Sequence, residues 1–462
     1  MAGWSQLAWF VSLSLVWCVL LLMLPIDPDY TSGELLDHLE SWRTSGVLYR
    51  ELSPEAPYRV LNYPPLVFVL ARGLGLMGMS GLLAGRLINV LGALVLVGAI
   101  TWWSKSRGVN GARLAGTVGL MAASFPVLYG FGGFRLELWA AAGTVVGFAL
   151  LDRGSSRRAM ALGGIALAVA CFAKQTQVIP ALVALAWVVS RRRSMAPAAL
   201  TTFAGSGILG AGLITQVWGL EAWVHMLTYT VGTFSPANLG FQAMSYLAPW
   251  AILFAFLART AYVERRTSLS DIVFWYWCGA LLWSFSAARL GASHAYFLDL
   301  HLATVMWVGP RLFDSSGAGR SRSWGWLLVL QVVGANVGVG AALATNLVRL
   351  HAVQDDLPGL CALLEGQGNV VAEDVGLVRA CGHAAVIHPF IMSSLASRGL
   401  WDPTPMVEDL RDGAYPAVLL PFDPREPPER LQVARWSPAL LAAFRSAPSV
   451  RPVASGRWLV QW

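Results

Sequence analysis

Apolar residues in this chain form long runs instead of alternating with polar residues. A helix needs about 20 apolar residues to cross a bilayer, and several of these runs approach or reach that length. Their approximate positions are Trp4–Leu24, Leu82–Trp103, Leu114–Gly130, Leu138–Leu151, Met160–Phe172, Val178–Val189, Ala198–Trp218, Leu247–Leu257, Ile272–Ser286, Tyr296–Val308 and Trp324–Leu347. The pattern predicts an α-helical polytopic membrane protein with about eleven transmembrane helices.

The composition agrees with a membrane protein and argues against an ordinary soluble enzyme. Hydrophobic residues make up 56% of the 462 residues and charged residues 13%, whereas soluble domains carry roughly 25% charged residues. The net charge of +7 would suggest an acidic partner only if the basic residues formed one surface.

The basic residues instead gather in every second connection between the apolar runs. The clusters are Lys105, Arg107 and Arg113; Arg153, Arg157 and Arg158; Arg191, Arg192 and Arg193; Arg259, Arg265 and Arg266; and Arg311, Arg320 and Arg322. Lys and Arg in short loops mark the cytoplasmic side of a membrane protein. The sequence therefore predicts a multi-pass protein of the inner (cytoplasmic) membrane with its N-terminus in the cytoplasm. The positive charge reports topology and does not indicate nucleic-acid binding.

The first loop, residues 26–81, is long, polar and placed by this topology on the outer side. Its first two-thirds are rich in acids, namely Asp27, Asp29, Glu34, Asp37, Glu40, Glu51 and Glu55. Leu35, Leu36, Leu39 and Trp42 recur at helical spacing and predict an amphipathic helix on the membrane surface. A cleaved signal peptide is the competing interpretation of the preceding apolar run, but no Lys or Arg comes before that run.

The composition changes at His351, which divides the chain into a transmembrane domain (1–350) and a small extracytoplasmic α/β domain (351–462). The segments VVAED, AAVIHPF and YPAVLLPF predict strands. The segments CALLEGQG, MVEDLRDG and WSPALLAAFRSA predict helices between and after them. Cys361 and Cys381 both lie in this domain, and the sequence leaves open whether they form a disulfide.

Three isolated cations interrupt the apolar pattern on the predicted outer side: Arg135, Lys174 and Arg289. Ionisable groups at membrane depth are costly and usually face a cavity or a functional site. Their polar neighbours are Glu137, Gln175, Thr176, Ser293, His294 and Tyr296. One alternative is that the three cations are side chains at span ends that reach toward interfacial water. Their common side with the acidic loop favours a cationic pocket for an anionic ligand.

Carboxylates and cations on one face of a membrane suggest a specific kind of chemistry. A loop carboxylate can act as a general base when its pKa suits the acceptor. Nearby Lys and Arg can stabilise a phosphate that leaves with negative charge. In a membrane, the natural carrier of that phosphate is a lipid. These residues therefore suggest transfer of an activated sugar from a polyprenyl phosphate to an acceptor.

Several motifs, in this order, resemble the GT-C superfamily of integral membrane glycosyltransferases. They are DYTSGELLDHLESWRTSGVLY in the first loop, Tyr63–Leu66 (YPPL), Arg135–Glu137 (RLE), Lys174–Thr176 (KQT) and Arg289–Leu300 (RLGASHAYFLDL). The branch they resemble is family 39-like and includes bacterial relatives of protein O-mannosyltransferases and the lipid A aminoarabinose transferase. The C-terminal stretch from Asn369 to Pro403 also resembles the polar tail of such proteins.

The resemblance implies a GT-C-like fold and an inverting hexosyl- or pentosyltransferase that uses a polyprenyl-phosphate-linked sugar. Glu34 best matches the family's catalytic acid, with Asp29 as the alternative. The other site residues that it implies are Tyr63, Arg135, Glu137, Lys174, Gln175, Arg289, His294 and Tyr296, with Arg135 and Lys174 at the donor phosphate. Some members use a divalent metal, so Mg or Mn is compatible with the sequence, although no clear ligand cluster is present.

Other functions remain compatible with the same residues. A transporter or flippase for lipid-linked sugars would place its charges near the bilayer midplane, often with internal repeats, and no repeat is visible. A non-catalytic scaffold subunit would not require the loop acids. Within the enzyme class, a ligase that uses a lipid-diphosphate donor is the alternative. The sequence does not identify the sugar, and the acceptor can be a lipid, a glycan or a protein.

Overall fold

The computed structural model describes residues 2–26, 29–263, 268–312 and 322–462. Within these ranges the chain is mostly helical, with one small sheet near its C-terminus. One acid of the first loop, Asp27, and three residues of the basic clusters, Arg265, Arg266 and Arg320, lie outside the described residues.

Four helices in the described ranges are long and apolar enough to cross a membrane. The qualifying stretches are Gly3–Met23, Gly81–Ser106, Ala196–Trp218 and Leu327–Leu364. A bent pair, Pro236–Tyr246 with Ala248–Val263, would add a fifth span despite its bend of 42°. These long apolar helices confirm the prediction of a membrane protein with transmembrane helices. The number of about eleven spans stays a prediction.

Several predicted spans are built from shorter helices. The run predicted at Leu114–Gly130 forms the helix Gly111–Gly119, the 3₁₀ turn Leu120–Ala123 and the helix Phe125–Gly130, because Pro126 begins a new helix. The remaining helices of this part are Leu66–Leu76, Glu137–Arg153, Arg157–Ala173, Val178–Arg191, Glu221–Trp223, Ile272–Ser284 and Leu298–Leu312.

Small residues allow the helices of the membrane part to pack closely. A side chain at Gly164 would place its Cβ 2.4 Å from the carbonyl oxygen of Ala199 on the next helix but one along the chain. Beside this contact, the Thr202 hydroxyl donates to the Ala161 carbonyl at 2.9 Å. Close backbone approach with interhelical hydrogen bonds is typical of helices that associate in a bilayer.

The first helix, Ala2–Met23, delivers the chain to the start of the first loop. Arg86 from the neighbouring helix is fully buried and donates to the carbonyls of Leu21, Leu24 and Ile26. These carbonyls belong to a helix end, where backbone acceptors lack partners within the helix. Arg86 therefore fixes where the first loop leaves the membrane part.

The helix predicted in the first loop is present at Tyr30–Ser45, and we call it the loop helix. Its apolar residues are buried against protein, and its position on the membrane surface stays a prediction. Leu35 and Leu39 pack in a core with Phe68 and Phe134. On another side, a Cβ at Gly33 would lie 2.6 Å from the Gly376 backbone nitrogen, so the loop helix touches the C-terminal region directly.

The long helix, Arg322–Leu364, runs without a break across the predicted domain boundary at residue 350, which stays a prediction. The C-terminal region that follows it (residues 365–462) holds four strands: β1 (Val370–Ala372), β2 (Ala417–Leu420), β3 (Ser449–Val453) and β4 (Arg457–Gln461). Their order is β1-β2-β4-β3, with β1 parallel to β2 and the other pairs antiparallel.

The C-terminal region confirms two of the three predicted strands and corrects the third. The segments VVAED and YPAVLLPF contain β1 and β2. AAVIHPF forms only an isolated bridge at Ile387, because Pro389 starts the helix Pro389–Ala396. The other helices are Val375–Ala380, Thr404–Arg411, Arg430–Arg435 and Pro438–Ser446. The predicted CALLEGQG helix is the end of the long helix.

A disulfide joins the end of the long helix to the C-terminal region. Cys361 on the helix pairs with Cys381, which directly follows the helix Val375–Ala380. This bond answers the question that the sequence left open.

Candidate active site

One cavity of about 710 Å³ lies where the first loop, the ends of the membrane helices and the C-terminal region meet. Of the residues predicted for the site, this cavity is lined by Asp29, Glu34, Tyr63, Arg135 and His294. Ligand sites are usually concave, with a few convergent polar groups on a mainly apolar wall. Among the described residues, this cavity is therefore the best candidate for an active site.

Asp29 caps the loop helix and forms an ion pair at the cavity wall. Its carboxylate accepts from the Ser32 backbone N–H at 3.0 Å and lies 2.7 Å from Nη2 of Arg135. Burial alone would raise the pKa of Asp29, but the Arg135 guanidinium and the cap hydrogen bonds lower it. Asp29 is therefore held in its ionised form.

Glu34 lies one helical turn beyond Asp29 but has a different environment. Its Oε1 is shielded from solvent and has no hydrogen-bond partner among the described residues. Burial raises the pKa of Glu34 despite the opposing effects of His388 and a hydrogen bond with Tyr30. The two candidate acids are thus distinguished by their surroundings: Asp29 is paired and has a lowered pKa, whereas Glu34 has a raised pKa.

Lys174 and Glu137 form a second ion pair just behind this wall. Lys174 Nζ lies 2.7 Å from Glu137 Oε1 and 5.9 Å from the centre of the Tyr296 ring. All three residues line a separate, much smaller pocket rather than the main cavity. They support the wall but do not face the main space.

Of the remaining predicted residues, His294 lines the cavity, whereas Gln175 and Arg289 do not. Gln175 donates to the Asn62 carbonyl at 2.7 Å and so holds the first loop rather than facing the cavity. Arg289 does not line the cavity; its guanidinium lies against Gly232. His294 does line it, packed against the Tyr129 ring, and burial lowers its pKa to about 4.

The opposite wall comes from the C-terminal region and was not predicted from the sequence. Glu373 is buried, pairs with Arg435 and accepts from the Trp436 indole at 2.8 Å. Asp374 pairs with Arg457 at 3.0 Å. Glu373 and Asp374 follow β1, Arg435 ends the helix Arg430–Arg435, and Arg457 begins β4. No local motif in the sequence distinguishes these residues from surface charges.

A buried group of charges holds the C-terminal region on the loop helix, and we call it the docking seam. Asp37 is fully buried and lies 2.8 Å from Arg59, 2.9 Å from His388 and 3.5 Å from Arg379. Burial would raise the pKa of Asp37, but hydrogen bonding and charge from His388 and Arg59 lower it. Because the seam joins residues more than 300 positions apart, it fixes one wall of the cavity against the other.

Two further contacts close the same junction. The Tyr58 backbone N–H donates to the Val386 carbonyl at 2.7 Å, and its carbonyl accepts from the His388 N–H at 2.9 Å. Gly291 has a φ of +79°, and a Cβ there would overlap the Phe390 ring. Glycine is therefore needed at this position for both backbone conformation and space.

The described residues contain no group of three or more His, Cys, Asp or Glu side chains placed to hold a metal ion. The expectation of a divalent metal stays a prediction.

Comparison with solved structures reveals a close likeness in fold. The crystal structure of ArnT from Cupriavidus metallidurans bound to undecaprenyl phosphate matches with a TM-score of 0.65 at 15% identity, covering 98% of this chain and 97% of that one. The apo structure of the same protein matches with a TM-score of 0.64 at 16% identity, covering 100% and 98%. The chain has the fold of ArnT.

The fold of this chain is therefore ArnT-like over nearly its whole length. An oligosaccharyltransferase from Archaeoglobus fulgidus also matches, with a TM-score of 0.49 at 12% identity, covering 89% of this chain and 67% of that one. No protein-family model and no curated protein sequence matches the chain.

Proposed function

We propose that this chain is an inverting membrane glycosyltransferase that moves a sugar from a polyprenyl-phosphate donor to an acceptor of the cell envelope at the outer face of the membrane. The observation that carries the proposal is an ionised carboxylate, Asp29, held 2.7 Å from Arg135 at the wall of a large cavity. The ArnT-like fold, in a neighbour bound to undecaprenyl phosphate, supports a lipid-linked donor for this chain.

Asp29 is the better general base of the two loop acids. A base must be ionised before it can take a proton from the acceptor hydroxyl. The environment of Asp29 favours that form, whereas the environment of Glu34 opposes it. Asp29, the alternative to Glu34 in the sequence, is therefore the base, and Glu34 binds substrate as a hydrogen-bonding acid.

The reaction is a single displacement at the anomeric carbon. The acceptor oxygen loses its proton to Asp29 and forms the new glycosidic bond on one face of the sugar. The bond between the anomeric carbon and the phosphate oxygen breaks on the other face, and its electron pair leaves with the lipid phosphate. Arg135 is buried, its Nε has no hydrogen-bond partner among the described residues, and it can stabilise that developing charge.

Lys174 and Glu137 act one step away from the reacting atoms in this scheme. Their ion pair lies behind the wall that carries Tyr63, and it supports that wall without adding net charge to the cavity. The C-terminal region provides the other wall, so we assign acceptor recognition to it. The acceptor itself, whether lipid, glycan or protein, is left to experiment.

The test is sugar transfer by the purified full-length protein with a panel of undecaprenyl-phosphate sugars. Asp29→Asn should lower kcat by at least about 100-fold, because general base catalysis contributes about 10²–10⁴-fold. Glu34→Gln keeps the hydrogen-bonding shape of a protonated acid and should lower kcat by less than about tenfold.

Asp412→Asn is the matched control, since Asp412 is an exposed acid outside the cavity lining. It should transfer sugar as the wild type does. Full activity of Asp29→Asn would overturn the assignment of the base. Failure of the wild type to transfer any sugar of the panel, while it moves lipid-linked sugars across a vesicle membrane, would replace the transferase by the flippase.

A further inference from the structure

The arginines of the cavity wall differ in whether a carboxylate pairs with them among the described residues. Four arginines line it: Arg135, Arg349, Arg435 and Arg457. Three of them pair with a carboxylate: Arg135 with Asp29, Arg435 with Glu373 and Arg457 with Asp374. Among the described residues, no carboxylate pairs with Arg349.

Arg349 stands on the long helix at the place where its apolar sequence ends. The preceding turns are apolar, and His351, Gln354 and Asp355 follow within two turns. The apolar stretch of this helix qualifies as a membrane span. Basic side chains at such a position lie at the level of lipid headgroups.

Arg349 and Phe241 both line the cavity and are both exposed, Phe241 by 63%. Phe241 belongs to the bent helix pair, together with Met244, which is 72% exposed. Large exposed apolar side chains on a candidate span face lipid, so we expect a lateral mouth with apolar residues beside one unpaired cation.

We propose that Arg349 binds a phosphate monoester carried by a membrane lipid, at this lateral mouth of the cavity. The proposal rests on the proposed function for the identity of the lipid, but its physical basis is separate. A guanidinium binds phosphate through two parallel hydrogen bonds, and the neighbouring apolar residues suit a hydrocarbon tail. A soluble anion would interact with the guanidinium but would gain nothing from the apolar residues.

Two lipids share this chemistry. One is the polyprenyl phosphate that has released the sugar, and the other is a glycolipid acceptor that itself bears a phosphate monoester. Arg349 lies on a different element from Arg135, and among the described residues Asp29 pairs with Arg135 and not with Arg349.

The experiment measures lipid binding by the full-length protein in nanodiscs, without any transfer reaction. The probes are undecaprenyl phosphate against undecaprenol, and a phosphorylated disaccharide glycolipid against its dephosphorylated form. The variants are Arg349→Gln, Arg349→Lys and the control Arg451→Gln, which removes an exposed arginine that does not line the cavity.

Arg349→Gln should weaken binding of at least one phosphate-bearing probe by about tenfold or more, since charge-assisted hydrogen bonds are the strong ones. Binding of the matching phosphate-free lipid should not change. Arg349→Lys should retain part of the binding, and Arg451→Gln all of it. The probe pair that responds identifies the donor carrier or the acceptor as the source of the phosphate.

Three results would overturn the proposal: unchanged binding of both phosphate-bearing probes by Arg349→Gln, equal losses for the phosphate-bearing and phosphate-free lipids, or no phosphate preference in the wild type. Phosphate-dependent binding through Arg349 in a protein that transfers no sugar would refute the proposed function alone. Sugar transfer with unchanged binding by Arg349→Gln would refute this inference alone.

Discussion

The two walls of the cavity are built on different principles. The membrane-side wall, with Asp29, Arg135 and Glu34, leaves polar atoms without partners, namely Arg135 Nε and Glu34 Oε1. The C-terminal wall pairs each of its arginines with an acid of the same region, Arg435 with Glu373 and Arg457 with Asp374.

Under the proposed function, this difference assigns the reaction to the membrane-side wall and recognition of the acceptor to the C-terminal wall. Buried polar groups without partners carry a free-energy cost, and such groups are commonly kept where a substrate supplies the missing partner. Paired charges are already stabilised and can orient a polar acceptor without being consumed in chemistry. The docking seam then decides whether the two walls face each other at all.

The largest expected effect is at the docking seam. Asp37→Ala leaves Arg59 and His388 close together without their buried counter-charge, which costs about 3–5 kcal/mol. The measurement is the free energy of unfolding or the temperature of unfolding of the C-terminal region. Asp423→Ala is the control, because it removes an ion pair whose arginine is 53% exposed, and such pairs contribute about 0–1 kcal/mol.

Equal destabilisation by the two variants would show that the seam does not hold the walls together. A large loss of stability with normal sugar transfer would show instead that the C-terminal wall is dispensable for the reaction.

The next effect concerns the membrane-side wall. Arg135→Gln should lower kcat/KM for sugar transfer by about 100-fold or more, because it removes a charge at the leaving phosphate and frees Asp29 from its pair. It should also move the acidic limb of the pH–rate profile to higher pH, since Arg135 lowers the pKa of Asp29. A loss of rate with an unchanged profile would separate Arg135 from Asp29.

The third effect concerns the C-terminal wall. Arg435→Gln should raise KM for the acceptor by about tenfold and leave donor binding unchanged, because a charged hydrogen bond contributes about 1.5–3 kcal/mol. Steady-state kinetics with each substrate varied in turn would show this. If donor KM rises instead, the assignment of the two walls is reversed.

The smallest effect sharpens the contrast between the two loop acids. Burial raises the pKa of Glu34, so the folded protein binds this proton more tightly than the unfolded chain. Its contribution to stability is full below the ordinary value of 4.5 and is lost as the pH rises through the folded-state pKa. Glu34→Gln should therefore lose less stability than the wild type between acidic and neutral pH, measured as the temperature of unfolding. Parallel curves would show that the pKa of Glu34 is the same in the folded and the unfolded protein.

The sequence predicted the membrane-side wall better than the C-terminal wall for a physical reason. A charge such as Arg135 is conspicuous because an apolar run surrounds it, and Asp29 stands out in an acidic loop. The same residue types in a polar region carry no such contrast. Arg435 and Glu373 could not be recognised, because their importance comes from folding over a cavity and not from their neighbours in sequence.

The distinction between facing a cavity and supporting it also lies beyond the sequence. Lys174 and Gln175 belong to one motif, yet Lys174 pairs with Glu137 behind the wall and Gln175 holds the first loop. Periodicity located the loop helix correctly, but it could not tell burial against lipid from burial against protein. The Gly33 contact with Gly376, which decides that question, joins residues far apart in the chain.

The long helix connects a candidate membrane span directly to the region that holds the sheet. Its 43 residues correspond to about 65 Å at 1.5 Å per residue, and Cys361 bonds its far end to Cys381. A helix tilts when the hydrocarbon layer becomes thinner. We therefore expect the width of the cavity to vary with the acyl-chain length of the lipids in reconstituted membranes. The rate of sugar transfer should vary with it.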